Sequence, residues 1–405
     1  MKKFINIFTT ASFLVVIFAL SIAFFLMPDK EFSSEENRSL QAFPETEFGN
    51  IADGTFTKEM NVYFADQFVA RDEFVGLKGM VASVLGCGEN NGVLLGKNEQ
   101  LAVRLFDTYK NRFEKTSSTD FYYSENLKDS LEKFNEYAKS ETLPLITLFP
   151  PRTVDVVGED LIYPNENGIS LSEEIKSSVC EESGYIDLLP IFQKENEKGN
   201  YVYYKTDHHW TSEGAYIAYT EIMKKWGMEE KIIPKDSFKV EQISDFYGTT
   251  WSKAGMKFVP SDILEIWSLG NQEDFITTCY SVVRQKDENG KMIKAKKPYK
   301  TFSGYLNREY LTEKNKYAAF LDGTHNEQTV FLKSGEKRER LLVMKDSFAD
   351  SLVPFLAQHF DLVIINLANN NTNVTEYAKE YNCDRVLFVY NFENLTENNI
   401  LDNVK

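Results

Sequence analysis

The 405-residue chain exceeds one average domain, and 42% hydrophobic with 14% aromatic residues is ample for a packed core, which excludes global disorder. A formal net charge of −16 argues against a nucleic-acid partner, which would call for a basic stripe. It also makes an anionic polymer a poor electrostatic partner, so any polysaccharide contact has to rest on hydrogen bonds and aromatic faces.

The first element is "MKKFINIFTTASFLVVIFALSIAFFLMPDKEFSSEE", in which Lys2 and Lys3 precede an apolar run from Phe4 to Met27. A run of about 20 residues spans a membrane as a helix, and cations before it with acids after it predict a cytoplasmic N-terminus and an exported body. Two outcomes are open. Residues 1–27 are an uncleaved anchor, which the length of the run favours, or a signal is cleaved near Ser21–Ala23 and the body is secreted.

Residues 28–90 read as a polar stalk, Pro28 to Pro44, followed by a helical region. Spacings of three and four through Phe64, Phe68, Val69 and Leu77 predict an amphipathic helix. "NNGVLLGKNEQLAV" has turn residues around short apolar runs and predicts a hairpin. Residues 91–405 then read as one α/β domain. "SENLKDSLEKFNEYAKSE" is a helix with Ser124 as N-cap, and "LPLITLFPPR" is a buried strand stopped by Pro150 and Pro151. "GYIDLLPIF" is a short strand, and "TSEGAYIAYTEIMKKWG" is a helix capped by Thr211 or Ser212 and ended by Gly227. "RLLVMKDS", "DLVIINLA" and "DRVLFVYN" are three more strands separated by helical segments. This alternation predicts a parallel sheet covered by helices, with any site at the carboxyl ends of its strands. Residues 230–340 read as an irregular insertion, with a solvated hairpin whose tip is Glu288-Asn289-Gly290. Cys87, Cys180, Cys279 and Cys383 lie far apart with no CxxC, so they are one or two disulfides or four small buried side chains.

Two segments carry chemistry. Asp207-His208-His209-Trp210 holds two of the four histidines. An aspartate two residues before a histidine can orient its imidazole, so Asp207 and His209 form a candidate base with its carboxylate, while His208 points elsewhere. In "LLVMKDSFADS" Ser347 sits where a strand enters a helix, which exposes a hydroxyl near helix N-terminal amides; the alternative is an ordinary N-cap. Zinc on Asp207, His208 and His209 would need a further ligand such as His325 or Asp322. Trp210 and the tyrosines are either a sugar-stacking platform or core, and His359 reads as structural or surface. Arg152, at a strand end, either binds a substrate anion or forms an ion pair.

"TDHHW" and "KDSFADS", together with "EENRSLQAFP", "YFADQFVARDEF", "NGVLLGK" and "KYAAFLDGTHNEQTV", resemble the DHHW proteins of bacterial envelopes. Those are similar to the acetyltransferase domains of the alginate O-acetylation machinery, in the SGNH hydrolase-like class. The resemblance implies a three-layer α/β/α SGNH-like domain with Ser347 as nucleophile, His209 as base and Asp207 orienting it. It implies O-acetyl transfer to, or removal from, a cell-envelope polysaccharide, with no cofactor and no metal. Transfer calls for a membrane acyltransferase that delivers acetyl groups. For the oxyanion it implies the Ser347 amide, an asparagine, for which Asn391 is the candidate, and a glycine. No glycine follows "DLVIINLA", so Gly323 or Gly248 stands in, and Lys345 replaces the glycine of the GDS motif. The competing reading is an inactive envelope protein that binds glycan or scaffolds an assembly.

Overall fold

The computed structural model describes residues 2–33, 38–104, 125–161, 168–286, 292–369, 374–397 and 400–404. The chain divides into two compact units, Met1–Asn91 with Trp251–Val259, and Gly92–Thr250 with Pro260–Lys405.

The first unit begins with the helix Lys2–Leu26. At about 1.5 Å per residue it is about 38 Å long, enough to cross a hydrocarbon core of about 30 Å. Its length and composition fit a membrane anchor or a signal sequence. The expected amphipathic helix is two helices, Thr55–Asp66 and Arg71–Val84, with Ala70 left-handed at φ 54 between them. Asp66 and Gln67 are drawn off at this break by the segment read as a stalk. Gln41 N donates to Asp66 Oδ2 at 2.9 Å, and Gln67 Nε2 donates to the Lys30 carbonyl at 3.0 Å. Phe64, Phe68 and Leu77 are exposed, and Phe64 lies against Phe24 of the first helix.

In the second unit, Val93–Leu95 pairs antiparallel with Leu101–Val103, as the hairpin pattern predicts. The central sheet has β1 (Leu145–Leu148), β2 (Tyr185–Ile186), β3 (Phe275–Lys286), β4 (Met292–Ser303), β5 (Glu327–Leu332), β6 (Arg340–Lys345), β7 (Asp361–Ile365) and β8 (Arg385–Val389). Their spatial order is β4-β3-β5-β7-β6-β8-β1-β2. The run β7-β6-β8-β1-β2 is parallel, and β5, β3 and β4 extend it antiparallel. The sheet is therefore mixed, not purely parallel. Residues 230–340 are more regular than their polar sequence suggests. They supply β3, β4 and β5, and another hairpin of Lys239–Phe246 with Asp262–Ser268. Long charged strands such as β4 hide their period because one face meets water. The tip Glu288-Asn289-Gly290 and the cap Ser124 lie outside the described residues.

Alternate side chains enter opposite layers, as a strand period of two requires. Leu341, Val343, Leu362, Ile364, Leu387 and Val389 join one core with the helix Ser212–Lys225. Leu342, Met344, Val363, Ile365, Val386 and Phe388 join the other with the helix Glu125–Ser140. This is a three-layer α/β/α arrangement. Thr211 caps the helix Ser212–Lys225, with its Oγ1 accepting from Gly214 N at 3.2 Å. "GYIDLLPIF" yields only Tyr185–Ile186 as strand and turns helical at Leu189, with Pro190 in the first turn, where proline is tolerated. All four cysteines are free thiols.

His359 is structural. Its Nε2 meets the Tyr219 hydroxyl at 2.8 Å, and burial, aided by the charges of Arg338 and Lys231, pushes its pKa from 6.5 down to about 4. The neutral ring therefore contributes stability that is complete above pH 6.5 and lost as pH falls through 4. Allowing for partial solvent screening, the loss is about 1–2 kcal/mol. Denaturant melts across this window should show it in the wild type and much less of it in His359→Gln; equal pH slopes would contradict the assignment.

Candidate active site

A tight connection presents the two histidines. Tyr203 bridges Trp210 across it, and Thr206 anchors its middle, with its N–H and hydroxyl donating to Asp262 Oδ2 at 2.7 and 2.5 Å. Asp207 is then buried, with its carboxylate turned onto the histidine two residues later. Oδ1 accepts from the His209 amide at 3.0 Å and from His209 Nδ1 at 2.5 Å. Oδ2 accepts from the Thr249 amide at 2.8 Å and its hydroxyl at 3.1 Å. Burial opposes ionisation of Asp207, but the facing His208 and His209 rings and the bonds from His209 and Thr249 outweigh it. They hold the carboxyl well below the usual range. An ionised Asp207 fixes the imidazole proton on Nδ1 and leaves Nε2 as the acceptor.

That Nε2 lies 2.7 Å from Ser347 Oγ, across 138 residues of sequence. Ser347 opens the 3-10 helix Ser347–Leu352 directly after β6, and the N-cap is Asp346. Asp346 Oδ1 accepts from Phe348 N at 3.0 Å, which replaces the ordinary N-cap reading of Ser347 and leaves its hydroxyl for the histidine. Asp346 Oδ2 also accepts from the Asn391 amide at 2.7 Å and Asn394 Nδ2 at 2.9 Å, tying the turn to the end of β8. Beneath it the buried Lys345 ammonium donates to the buried Asp350 carboxylate. The lysine that replaces a motif glycine thus has its own counter-charge four residues past that motif's aspartate.

Sequence reasoning missed Tyr317. Its ring stacks on His209 at 3.9 Å and 12°, and its hydroxyl donates to the Ser347 carbonyl at 3.1 Å and meets Ser351 Oγ at 3.1 Å. Burial drives its pKa far above the ordinary value, so it stays a neutral phenol. One side chain therefore braces both the imidazole and the serine turn. Nothing in its local sequence marks it, because the contact exists only once the 3-10 turn Lys316–Ala319 is placed over the site.

The other candidates fall elsewhere. Trp210 is 0% exposed, packs 5.3 Å from Phe348 and donates Nε1 to Ser351 Oγ at 2.8 Å, so it is core and offers no face to a sugar. Arg152 is buried and paired with Asp155 at 2.7 and 2.8 Å, which gives the ion-pair outcome. Gly323 gives its amide to the Phe320 carbonyl at 3.2 Å. Gly248 gives its own to Thr206 Oγ1 at 3.1 Å. Asn391 Oδ1 accepts from the Asn394 amide at 2.9 Å, while its Nδ2 donates to no group among the described residues and so remains a candidate donor. The Ser347 amide, at a helix start, makes no hydrogen bond among the described residues. His208 bonds Thr249 Oγ1 through Nδ1 at 2.8 Å. Ligand-type atoms of Asp207, His208 and His209 come within 4.8 Å of one another, but both His209 nitrogens are engaged in the chain to Ser347.

Gly248 has a steric role instead. A Cβ there would overlap the Asp207 side chain and lie 2.7 Å from its Cα. Gly248→Ala should push Asp207 off the imidazole and slow any serine acylation by about 100-fold, the cost of a displacement near 1 Å. Acylation timed by mass spectrometry checks this, and an unchanged rate would remove Gly248 from the site.

A DHHW protein family model matches residues 180–366, a stretch that contains both Asp207–His209 and Ser347. The fold is also that of Bacillus cereus PatB1 with a sulfonyl adduct: TM-score 0.57, 20% identity, 77% of this chain and 98% of that one covered. A second PatB1 structure matches at TM-score 0.53 and 22% identity over 68% of this chain and 92% of the other. A DHHW family protein from Eubacterium siraeum matches at TM-score 0.51 and 17% identity, covering 69% of this chain and 89% of the other. No curated protein matches the chain. The likeness to DHHW proteins is thus shown by sequence over residues 180–366 and by fold over more of the chain, and the α/β/α domain is SGNH-like.

Proposed function

From a DHHW match that spans both motifs and a fold shared with PatB1, we propose that this protein is a serine-dependent acyltransferase of the cell envelope that moves O-acetyl groups on a polysaccharide. The observation that carries the reading is the continuous Asp207–His209–Ser347 hydrogen-bond chain. His209 Nε2 takes the Ser347 proton as Oγ attacks an acetyl ester, and Asp207 stabilises the imidazolium that forms. The Ser347 amide faces the developing oxyanion. The proton returns from Nε2 to the leaving alcohol. A sugar hydroxyl, deprotonated in turn by His209, then takes the acetyl group from Ser347; water in its place makes the same site an esterase.

The apolar helix Lys2–Leu26 supports a membrane-anchored protein with its body outside the cytoplasm, or a secreted one if the helix is cleaved. Acetyl donors there would come from a membrane acyltransferase partner. PatB1 was captured with a sulfonyl adduct, and sulfonyl electrophiles trap activated nucleophiles, which supports the same test here.

The test is intact-mass spectrometry of the detergent-solubilised chain pulsed with an activated acetyl ester, followed by addition of envelope polysaccharide. One acetyl adduct, lost in His209→Ala and passed to glycan hydroxyls, is the expected result. Release only as free acetate would make the protein an esterase. No adduct, or one that persists in His209→Ala, would sink the acyl-enzyme and leave glycan binding as the reading to test.

A further inference from the structure

A second convergence of reactive side chains stands outside the Asp207–His209–Ser347 chain, where β3, β4 and the loop before β5 meet. One ligand-type atom from each of Cys279, Asp322 and His325 lies within 4.8 Å of the others. Cys279 sits where the register between β3 and β4 shifts, opposite Lys300 on one side and Gln328 on the other. Bulges of this kind re-aim side chains. Asp322 comes from three successive left-handed residues, Leu321, Asp322 and Gly323, at φ 56, 65 and 77. A leucine there is held against its steric preference, so the loop is shaped by something other than local energy.

His325 Nε2 faces Asp322 Oδ2 at 3.0 Å, and its Nδ1 is held by the Tyr299 hydroxyl. A metal-binding histidine is oriented in this way, with one nitrogen to the ion and the other fixed by a neighbour. Gln328 is fully buried beside the thiol, with Nε2 3.5 Å from Cys279 Sγ. Its Oε1 has no hydrogen-bond partner among the described residues, an unsatisfied acceptor next to the cluster.

We propose that Cys279, Asp322 and His325 are a three-ligand zinc site, with one coordination position left to water and Gln328 Oε1 available to accept from it. Thiolate, imidazole and carboxylate together suit zinc, whereas magnesium and calcium call for oxygen throughout. Without metal, Lys300 Nζ neutralises Asp322 at 2.8 Å, and its side chain is 41% exposed, free to swing into solvent. With zinc, two ligand charges balance the ion, the Cys279 proton passes to solvent, and Lys300 is displaced. The site is electrically balanced in both states. This inference does not rest on the acyl-transfer reading.

The metal-free full chain in detergent is titrated with cobalt(II), and then with zinc against a chromophoric chelator. One equivalent of cobalt with a thiolate charge-transfer band, displaced by zinc, is the expected result. Cys279→Ala should abolish the band, Tyr299→Phe should weaken binding about 10–100-fold, and Lys300→Met should tighten it. If Cys279→Ala does not fold by circular dichroism, the opposite shifts of Tyr299→Phe and Lys300→Met carry the proposal, and equal or absent shifts overturn it. No uptake, or uptake without the band that Cys279→Ala leaves unchanged, also overturns it; the latter would place the ion on other groups, such as Asp207, His208 and His209.

Discussion

Ser347→Ala should lower the rate of acyl-adduct formation by about 10⁴–10⁶-fold, the range seen when a serine nucleophile is removed from a working triad. The fold should not notice. The Ser347 hydroxyl bonds only to His209 Nε2 among the described residues, whereas the turn around it is held by Asp346, by Tyr317 on the Ser347 carbonyl and by the Lys345–Asp350 pair. Denaturation midpoints of the two proteins should then agree within about 0.5 kcal/mol. This separation gives the test its force. A large loss of acylation in an equally stable protein assigns the chemistry to Oγ. Acylation that survives in the variant would mean that another side chain carries the adduct, and the serine mechanism would fall.

The second large effect is on stability. Lys345 and Asp350 are both buried, and burial pushes the Asp350 carboxyl up to about 7 even with the ammonium beside it. The pair therefore recovers little of what its desolvation costs, and removing one member leaves the other buried without a partner. Lys345→Met should cost about 3–5 kcal/mol, measured by urea unfolding of the second unit's transition. Lys345→Met with Asp350→Leu should regain most of that, because no charge is left in the core. A single variant that loses under 1 kcal/mol, or a double variant no better than the single, would show that the two residues are not coupled. The comparison bears on the site directly, since the pair spans the turn that carries Ser347.

Much of the fold could be read in advance because it rests on short-range patterns. Continuous apolar runs in β1, β6, β7 and β8 can only be strands buried on both faces, and Thr211 before an apolar period of three to four marks a helix start. The hairpin of β3 and β4 was legible from its turn residues, but where one face of a strand meets water and its residues are lysines, as in β4, the alternation fades, and this is why its membership of the central sheet was not. Glycine and asparagine candidates for the oxyanion were chosen by position along the chain. The folded chain spends the amides of Gly248 and Gly323 on Thr206 and Phe320, a matter of partners that no single segment encodes, whereas Asn391 uses only its Oδ1 acceptor and keeps its Nδ2 donor.

By itself, then, the sequence determined the apolar N-terminal helix, the strands of the parallel core, and the residue types able to form a base and a nucleophile. Asp207 and His209 are two apart, so a single turn can join them, and chain chemistry alone makes that pairing available. Their meeting with Ser347 is different in kind. It depends on β6 lying between β7 and β8, on Asp346 tying its turn to Asn391 and Asn394, and on Tyr317 closing over the imidazole. Those contacts join segments tens to more than a hundred residues apart, and only the packing of the whole sheet selects them.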